Sequence, residues 1–380
     1  MADLSTCRPL TRDSVKEAHE LIRPYIHQTP VLTNTTLNTI ASTPLSSPGA
    51  AKPVIRLYFK CENLQLIGAF KVRGAFHAVE RLKQDPTWSR EKGVVTHSSG
   101  NHAQALALAA RSNNIKAYVV MPSISAPPKV SATEGYGATV IHSGSTSVER
   151  EAVTQDVINS TGARLVPPYD HPDIILGQGT MGLELQDQFS QLRSQLSSSS
   201  SSPNPSPKNL NAILTPCGGG GMLSGVALSC EGTPTKVFGA EPSFEGADDC
   251  TRSYYSPDGV RIESVKSLTI ADGLRTPVGE HPWQIIYERR LVSGMYSVTE
   301  DQIKSALKLV YERMKLVVEP SAVVGLAVVL YNEQFRKMVE QEGGADGWDI
   351  GIVFSGGNID LSKLGELFSP ATDEQTVITA

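Results

Sequence analysis

The chain has 380 residues, 40% of them hydrophobic and 19% charged, with a formal net charge of -5. This length favours two lobes, and the balance of charge argues against a disordered chain and against nucleic acid as a partner. The N-terminal residues lack a signal-peptide pattern and no stretch is long and apolar enough to span a bilayer, so we expect a cytoplasmic protein without a membrane partner. The five cysteines are scattered without paired-ligand spacing, which indicates reduced thiols rather than a disulfide framework or a zinc site.

Short β-branched runs alternate with helix-like patterns along the chain, a rhythm typical of βαβ units. In the first series, the strand-like segments that precede helix-like segments are residues 93–97, 116–121 and 138–143. In the second series, the strand-like segments are residues 211–216, 236–242 and 349–355. We therefore predict an α/β fold with two mainly parallel sheets flanked by helices.

The two series predict two domains. The small domain is expected at residues 93–168, and the large domain at residues 1–92 and 169–380. A Ser/Pro-rich stretch at about residues 194–210 interrupts the large domain. Because this composition buries little apolar surface, we predict a solvated insert without a chemical role.

Lys71 lies in residues 61–76, a segment otherwise nearly free of charge, with a glycine three residues to either side. A desolvated lysine loses proton affinity, becomes nucleophilic and forms covalent bonds with carbonyl compounds. A lone lysine is far more often a surface side chain. The chemical interpretation of Lys71 therefore depends on the other motifs.

A run of four glycines, residues 218–221, follows a strand-like segment and precedes a helix-like segment that starts near Met222. Backbone N–H groups of such a loop, together with a helix N-terminus, predict a phosphate cradle, the alternative being a flexible turn. The spacing matches neither the dinucleotide loop nor the nucleoside-triphosphate loop, so a smaller phosphate ester fits better. A phosphate-bearing aldehyde would satisfy both this loop and Lys71.

Two further segments place polar groups at the ends of predicted strands. Ser98, Ser99, Asn101 and His102 stand at the start of a helix, where hydroxyl and N–H groups suit a carboxylate; the alternative is a simple helix cap. Ser355 follows the last apolar strand, at the kind of edge where open α/β sheets bind ligands.

Taken together, the segments resemble the serine racemase and serine/threonine dehydratase family, which are fold type II pyridoxal-phosphate enzymes with a tryptophan synthase β-like fold. The resemblance extends from about residue 30 to residue 361 and is carried by TPVLT, KCENLQ, THSSGNHAQAL, GQGTMGLEL, GGGGMLSG and SGGNIDL. It implies that Lys71 is linked to pyridoxal 5′-phosphate, that Phe70 packs on its ring, that Asn101 bonds the ring 3′-hydroxyl and that Ser355 faces the ring nitrogen. The residues that it implies for the phosphate are Gly218, Gly219, Gly220, Gly221 and Met222.

The resemblance also implies an enzyme that acts on a small amino acid. Lys71 would remove the Cα proton while Ser98, Asn101 and His102 hold the carboxylate. Ser99, on the opposite face, would return a proton and so interconvert L- and D-serine. Loss of the β-hydroxyl from L-serine or L-threonine would instead give a 2-oxo acid and ammonia.

Three other functions stay open. The first is a 3-hydroxyaspartate or L-threonine dehydratase without significant racemisation. The second is a racemase of another small amino acid, since Thr276 and Pro277 replace a serine pair of the family and Arg150 could reach a second carboxylate. The third is a non-catalytic protein that binds the cofactor or senses amino acids.

By the same resemblance, Glu241, Ala247 and Asp249 are expected to bind a divalent cation, Mg²⁺ or Ca²⁺, through hard oxygen ligands. The chain has two more residues between Ser243 and Ala247 than the family pattern, and a solvated acidic loop is the alternative. The resemblance further implies a homodimer and a nucleotide effector, although the sequence shows no nucleotide-binding motif.

Overall fold

The computed structural model describes residues 4–125, 127–199 and 209–368. Within these ranges the larger sheet contains six strands: β1 (Val31–Leu32), β2 (Ile55–Cys61), β7 (Ala212–Pro216), β8 (Lys236–Pro242), β9 (Gly294–Val298) and β10 (Trp348–Phe354). Their order across the sheet is β1-β2-β10-β7-β8-β9. Strand β1 runs antiparallel to β2, and the other neighbours are parallel.

The smaller sheet of the described ranges contains β3 (Val94–His97), β4 (Ala117–Pro122), β5 (Thr139–Ser143) and β6 (Arg164–Leu165). Its order is β5-β4-β3-β6, and all three pairings are parallel. The predicted α/β class with two mainly parallel sheets is confirmed. All four strands fall within residues 93–168, the range predicted for the small domain, whose exact boundaries stay a prediction.

The helices connect the strands and cover the sheets. They are α1 (Arg12–Ile22), α2 (Thr35–Ser42), α3 (Lys71–Leu82), α4 (Asn101–Ser112), α5 (Pro127–Gly135), α6 (Ser147–Thr161), α7 (Pro172–Ser199), α8 (Gly221–Cys230), α9 (Asp249–Tyr255), α10 (Glu280–Trp283), α11 (Glu300–Leu309), α12 (Val324–Tyr331), α13 (Glu333–Gly343) and α14 (Leu361–Phe368). None of the helices described is long and apolar enough to cross a bilayer.

The predicted Ser/Pro-rich insert differs from the structure at its beginning. Helix α7 continues through residues 194–199, so the chain there is helical. The serines favour turns, but a helix that is already packed along most of its length can be extended by another turn or two at little cost. Residues 200–208 of the predicted insert lie outside the described residues.

A buried ion network fixes the start of α3. The guanidinium of Arg73 donates to Glu62 at 2.7 and 2.9 Å and to Glu184 at 2.9 and 2.8 Å. Lys60, on β2, donates to Glu184 at 2.6 Å. All four side chains are buried, so each charge needs its partners. The network holds α3, which begins at Lys71, against β2 and α7.

Candidate active site

The predicted site segments all follow the carboxyl ends of strands. Residues 62–71 follow β2, residues 98–101 follow β3, residues 217–221 follow β7 and residues 355–358 follow β10. Strands β2, β10 and β7 are neighbours in one parallel sheet, so three of these segments meet at the same edge. This edge is the usual position of a ligand in an open α/β sheet.

Lys71 is the first residue of α3 and is half-buried. Its ammonium donates to the carbonyl oxygen of Pro168 at 2.7 Å and lies 5.2 Å from the centre of the Phe70 ring. Burial lowers the pKa of Lys71 to about 8, although the nearby negative charge of Glu319 opposes part of this effect. A substantial fraction of this amine is therefore neutral and nucleophilic at a pH only slightly above neutrality.

Two backbone hydrogen bonds hold the segment before Lys71 against the segment that contains Ser355. The N–H of Phe70 donates to the carbonyl of Ser355 at 3.0 Å, and the N–H of Gly357 donates to the carbonyl of Gly68 at 2.9 Å. Ser355 is buried. The structure thus places Phe70, Lys71 and Ser355 side by side, although nearly 300 residues of sequence separate them.

The glycine loop presents buried donors. Residues 218–222 are buried, and in the described part of the chain no hydrogen bond is formed by the N–H groups of Gly218, Gly219 and Gly220. Helix α8 begins at Gly221, and the N–H groups of its first turn have no partner within the helix. Buried donors without acceptors are costly unless an anion completes them. The loop therefore fits the phosphate ester of pyridoxal phosphate.

The glycines of this loop are also required by close packing. A Cβ at residue 219 would lie 2.4 Å from ring atoms of Tyr169, and Gly220 has a φ of +83°. The first observation leaves no room for a side chain at residue 219, and the second is a backbone conformation that favours glycine at residue 220. Met222, in the first turn of α8, is buried beside them.

The predicted substrate segment lies between β3 and α4. Ser98, Ser99 and Asn101 are half-buried, and the hydroxyl of Ser98 accepts from the N–H of Gly100 at 3.4 Å. His102, only 2% exposed, faces the interior instead. Because its imidazole is buried, we expect a substrate contact by residue 102 to use its backbone N–H.

The interior position of His102 also determines its charge. Its Nε2 lies 3.1 Å from the carbonyl oxygen of Val166. Burial lowers the pKa of His102 to about 3, so the imidazole is neutral at ordinary pH.

Glu319 is a site residue that the sequence analysis does not assign. Its buried carboxylate accepts from the Asn101 amide at 3.2 Å through each oxygen. Asn358 in turn donates to the Asn101 oxygen at 2.9 Å. Burial, reinforced by the charge of Asp272, raises the pKa of Glu319 to about 7. An isolated acid in the apolar run LVVEPSA is the signal that points to it.

The predicted cation ligands Glu241 and Asp249 are buried. Glu241 accepts from the N–H of Cys250 at 3.2 Å and from Thr251, while Asp249 accepts from the N–H of Val278 at 2.9 Å. Burial raises the pKa of both carboxyls, and their proximity adds to the rise for Glu241. Within the described ranges no Lys or Arg forms a salt bridge with either, so a divalent cation fits this position.

The extra residues before Ala247 do not expose this position. Phe244–Gly246 forms a short 3-10 turn whose Glu245 has a φ of 49°. Phe244 is exposed and Ala247 is buried. The insertion is thus accommodated at the surface, and the three predicted ligand residues remain in the interior.

Comparisons with known proteins agree with this geometry. The family model described as "Pyridoxal-phosphate dependent enzyme" matches residues 36–356. The serine racemase of Dictyostelium discoideum is 42% identical over 95% of this chain and 98% of its own length. The L-threo-3-hydroxyaspartate ammonia-lyase of Saccharomyces cerevisiae is 38% identical over 97% of this chain and 99% of its own length.

A solved structure agrees as well. Maize serine racemase superposes with a TM-score of 0.79 and 36% sequence identity, over 94% of this chain and 96% of that chain. The family match and these relatives lead to one conclusion, with which the half-buried Lys71 and the glycine loop are consistent: the chain belongs to the family of pyridoxal-phosphate-dependent enzymes.

Proposed function

We propose that the chain is a serine racemase that also dehydrates L-serine and L-threonine to the 2-oxo acid and ammonia. The observation that carries this proposal is the position of Lys71, a half-buried amine with a lowered pKa, at a sheet edge that also holds the phosphate loop and residues 98–101. Relatives named serine racemase, 38–42% identical to the chain over more than nine-tenths of its length, support the choice of substrate.

Bound pyridoxal phosphate supplies the electron sink that makes the substrate Cα proton removable. The N–H groups of residues 218–222 would hold its phosphate, Phe70 would pack beside its ring, and Ser355 would offer a neutral hydroxyl to the ring nitrogen. By family resemblance, the amide of Asn101, which the structure shows bonded to Glu319 and Asn358, would turn to bond the 3′-hydroxyl. These contacts fix the position of the reacting atoms relative to Lys71.

The Nζ of Lys71 takes the Cα proton from one face of the substrate. Ser98, Asn101 and the N–H of His102 hold the substrate carboxylate at the start of α4, where the helix dipole favours an anion. The hydroxyl of Ser99 gives a proton to Cα from the opposite face, which produces the other enantiomer. When the β-hydroxyl leaves instead as water, subsequent hydrolysis releases the 2-oxo acid and ammonia.

Four further properties belong to the proposal. A divalent cation, Mg²⁺ or Ca²⁺ by family resemblance, is held by Glu241, Ala247 and Asp249. Family resemblance also supports a homodimer, which light scattering tests. It supports a nucleotide effector as well, which assays with added ATP test. A cytoplasmic location is supported by the five cysteines, all within the described ranges, which form no disulfide with one another.

The proposal is tested by incubating the purified holoenzyme separately with L-serine, L-threonine and 3-hydroxyaspartate. Chiral chromatography measures the D-enantiomer, and parallel assays measure the 2-oxo acid and ammonia. We expect D-serine from L-serine together with a smaller or comparable yield of 2-oxo acid. A complete lack of D-serine would remove the racemase assignment.

The second candidate is a 3-hydroxyaspartate ammonia-lyase. The relative of that name in Saccharomyces cerevisiae favours it. Arg150 favours it as well: burial lowers the pKa of His97 at the end of β3, and the charge of Arg150 adds to this effect, which places the guanidinium near this segment. A cation near residues 98–101 would suit the second carboxylate of 3-hydroxyaspartate. Rapid ammonia release from 3-hydroxyaspartate, without turnover of serine, would select this function.

A further inference from the structure

Two thiols lie beside the proposed cation ligands. The sulfur atoms of Cys217 and Cys250 and a carboxylate oxygen of Glu241 are all within 4.8 Å of one another. All three residues are essentially excluded from solvent. They are distant in sequence and lack the spacing of a metal motif, so only the fold reveals that they form a cluster.

The cluster is built by strand register. Pro216, the last residue of β7, pairs with Ala240 of β8, so the next residues, Cys217 and Glu241, lie side by side. The N–H of Cys217 donates to the carbonyl of Ala240 at 2.8 Å, which secures this pairing. Cys250, in the first turn of α9, is held by its N–H bond to Glu241. The cluster thus joins two strands and a helix.

We propose that Cys217, Cys250 and Glu241 form a binding site for a thiolate-seeking divalent cation of the zinc class. This inference rests on the proposed cation site but is independent of the proposed reaction. It changes the expected ion, because thiolate ligands favour zinc-class ions, whereas a purely oxygen-lined site favours Mg²⁺ or Ca²⁺.

The separations allow this coordination. Zinc binds thiolate sulfur at about 2.3 Å and carboxylate oxygen at about 2.0–2.2 Å, so tetrahedral ligand atoms lie roughly 3.5–3.8 Å apart. The upper bound of 4.8 Å within the cluster requires only small side-chain movements to reach that distance. Three protein donors leave one position, which the neighbouring Asp249 carboxylate or a water molecule would fill.

The site would also affect the cofactor. Cys217 immediately precedes Gly218, the first residue of the phosphate loop. A cation bound to its sulfur would restrain the end of β7 and thereby the N–H groups that grip the phosphate. We therefore expect metal-loaded protein to retain pyridoxal phosphate longer during dialysis than metal-free protein.

The test uses the reduced holoenzyme after removal of metals with a chelator. Cadmium serves as the probe, since its bonds to thiolates give an ultraviolet charge-transfer band, and zinc affinity is measured by competition with a chromophoric chelator. The inference predicts about one cadmium bound per chain with this band, and a loss of about half the band in Cys217→Ser and in Cys250→Ser. Zinc affinity should fall about tenfold or more in each variant.

Cys230→Ser is the matched control, because Cys230 is buried but lies outside the cluster; it should leave the band and the affinity unchanged. Cys7, His171 and Asp173 form a separate group of potential metal ligands. Cys7→Ser controls for cadmium bound there and should also leave the band and the affinity unchanged. Three outcomes would overturn the inference: no thiolate band at cadmium saturation, a band of full intensity in both Cys217→Ser and Cys250→Ser, or a disulfide between Cys217 and Cys250 in the isolated enzyme. The racemase assay, run on the same samples, is scored separately.

Discussion

The amide of Asn101 donates to both carboxylate oxygens of Glu319, each at 3.2 Å. Asn101 begins α4, which follows β3 of the smaller sheet, whereas Glu319 precedes α12, so this contact joins segments that are distant in sequence. Glu319 also contributes a negative charge near Lys71. It is therefore a positioning residue that acts through Asn101 and through the electrostatic environment of Lys71.

Glu319→Gln should lower the pKa of Lys71 further. The glutamine oxygen still accepts from Asn101, but the negative charge that favours the ammonium form of Lys71 is gone. In cofactor-free protein, the rate of pyridoxal phosphate binding should follow the neutral fraction of Lys71, with a midpoint near pH 8 in the wild type. That midpoint should move to lower pH in the variant.

Stopped-flow absorbance measures this rate as a function of pH. Titration of the cofactor phosphate is common to both proteins and cancels in the comparison. Glu342→Gln is the control, because Glu342 carries the same charge in an exposed pair with Lys236. An unchanged midpoint, or one that moves to higher pH, would contradict the role given to Glu319.

Ser99→Ala should separate the two reactions. Removal of the hydroxyl that returns the proton should reduce D-serine formation by about 100-fold or more, the usual contribution of a general acid or base. Formation of the 2-oxo acid from L-serine should persist, because it needs proton removal only by Lys71. Ser98→Ala is the control and should alter both reactions to a similar extent. Equal loss of both reactions in Ser99→Ala would argue against an opposite-face role.

Gly219→Ala should weaken cofactor binding. Its Cβ would lie 2.4 Å from ring atoms of Tyr169, so either the ring or the loop must move. Such overpacking costs about 1–3 kcal/mol, and if it falls on the cofactor-bound state, the Kd of pyridoxal phosphate should rise roughly 5- to 140-fold. Gly135→Ala, at a position with no atom within 4 Å of the new Cβ, should leave the Kd unchanged in the same absorbance titration.

Arg73→Met should destabilise the fold strongly. It leaves the buried carboxylates of Glu62 and Glu184 with Lys60 as their remaining cation in this network, and breaking a buried ion pair typically costs about 3–5 kcal/mol. Thermal unfolding followed by circular dichroism should show a clear fall in Tm. Lys16→Met, which removes an exposed pair with Asp13, should change the Tm little. Similar Tm values for the two variants would contradict the importance of the network.

Much of the fold could be predicted from local patterns. Strands β3, β4, β5, β7, β8 and β10 lie within one residue of the predicted segments, because each is a short β-branched run bounded by turn residues. Strand β2 is not among the predicted segments. Its run IRLYFKC contains Arg56 and Lys60, which break the apolar pattern but are paired with Asp349 and Glu184 from distant parts of the chain. A sequence pattern cannot show such partners.

In the candidate site, too, some residues can be predicted from local sequence and others only from the fold. Lys71 and the glycine loop have local signatures, because a desolvated amine and a row of N–H groups each demand a particular sequence context. Glu319 has only a weak local signature, an isolated acid in an apolar run, and the pair of Cys217 and Cys250 has none. The significance of these residues arises only when strand register and packing bring them beside other groups. The interior orientation of His102 likewise depends on the packing of α4 against residue 166.

The covalent attachment of pyridoxal phosphate is the central claim, and borohydride reduction tests it most directly. Reduction of the cofactor-loaded enzyme makes the lysine linkage permanent, and peptide mass spectrometry then locates it. We predict the pyridoxyl label on the peptide that contains Lys71, and no label in Lys71→Ala. A label on another lysine, or none in the wild-type enzyme, would contradict the account.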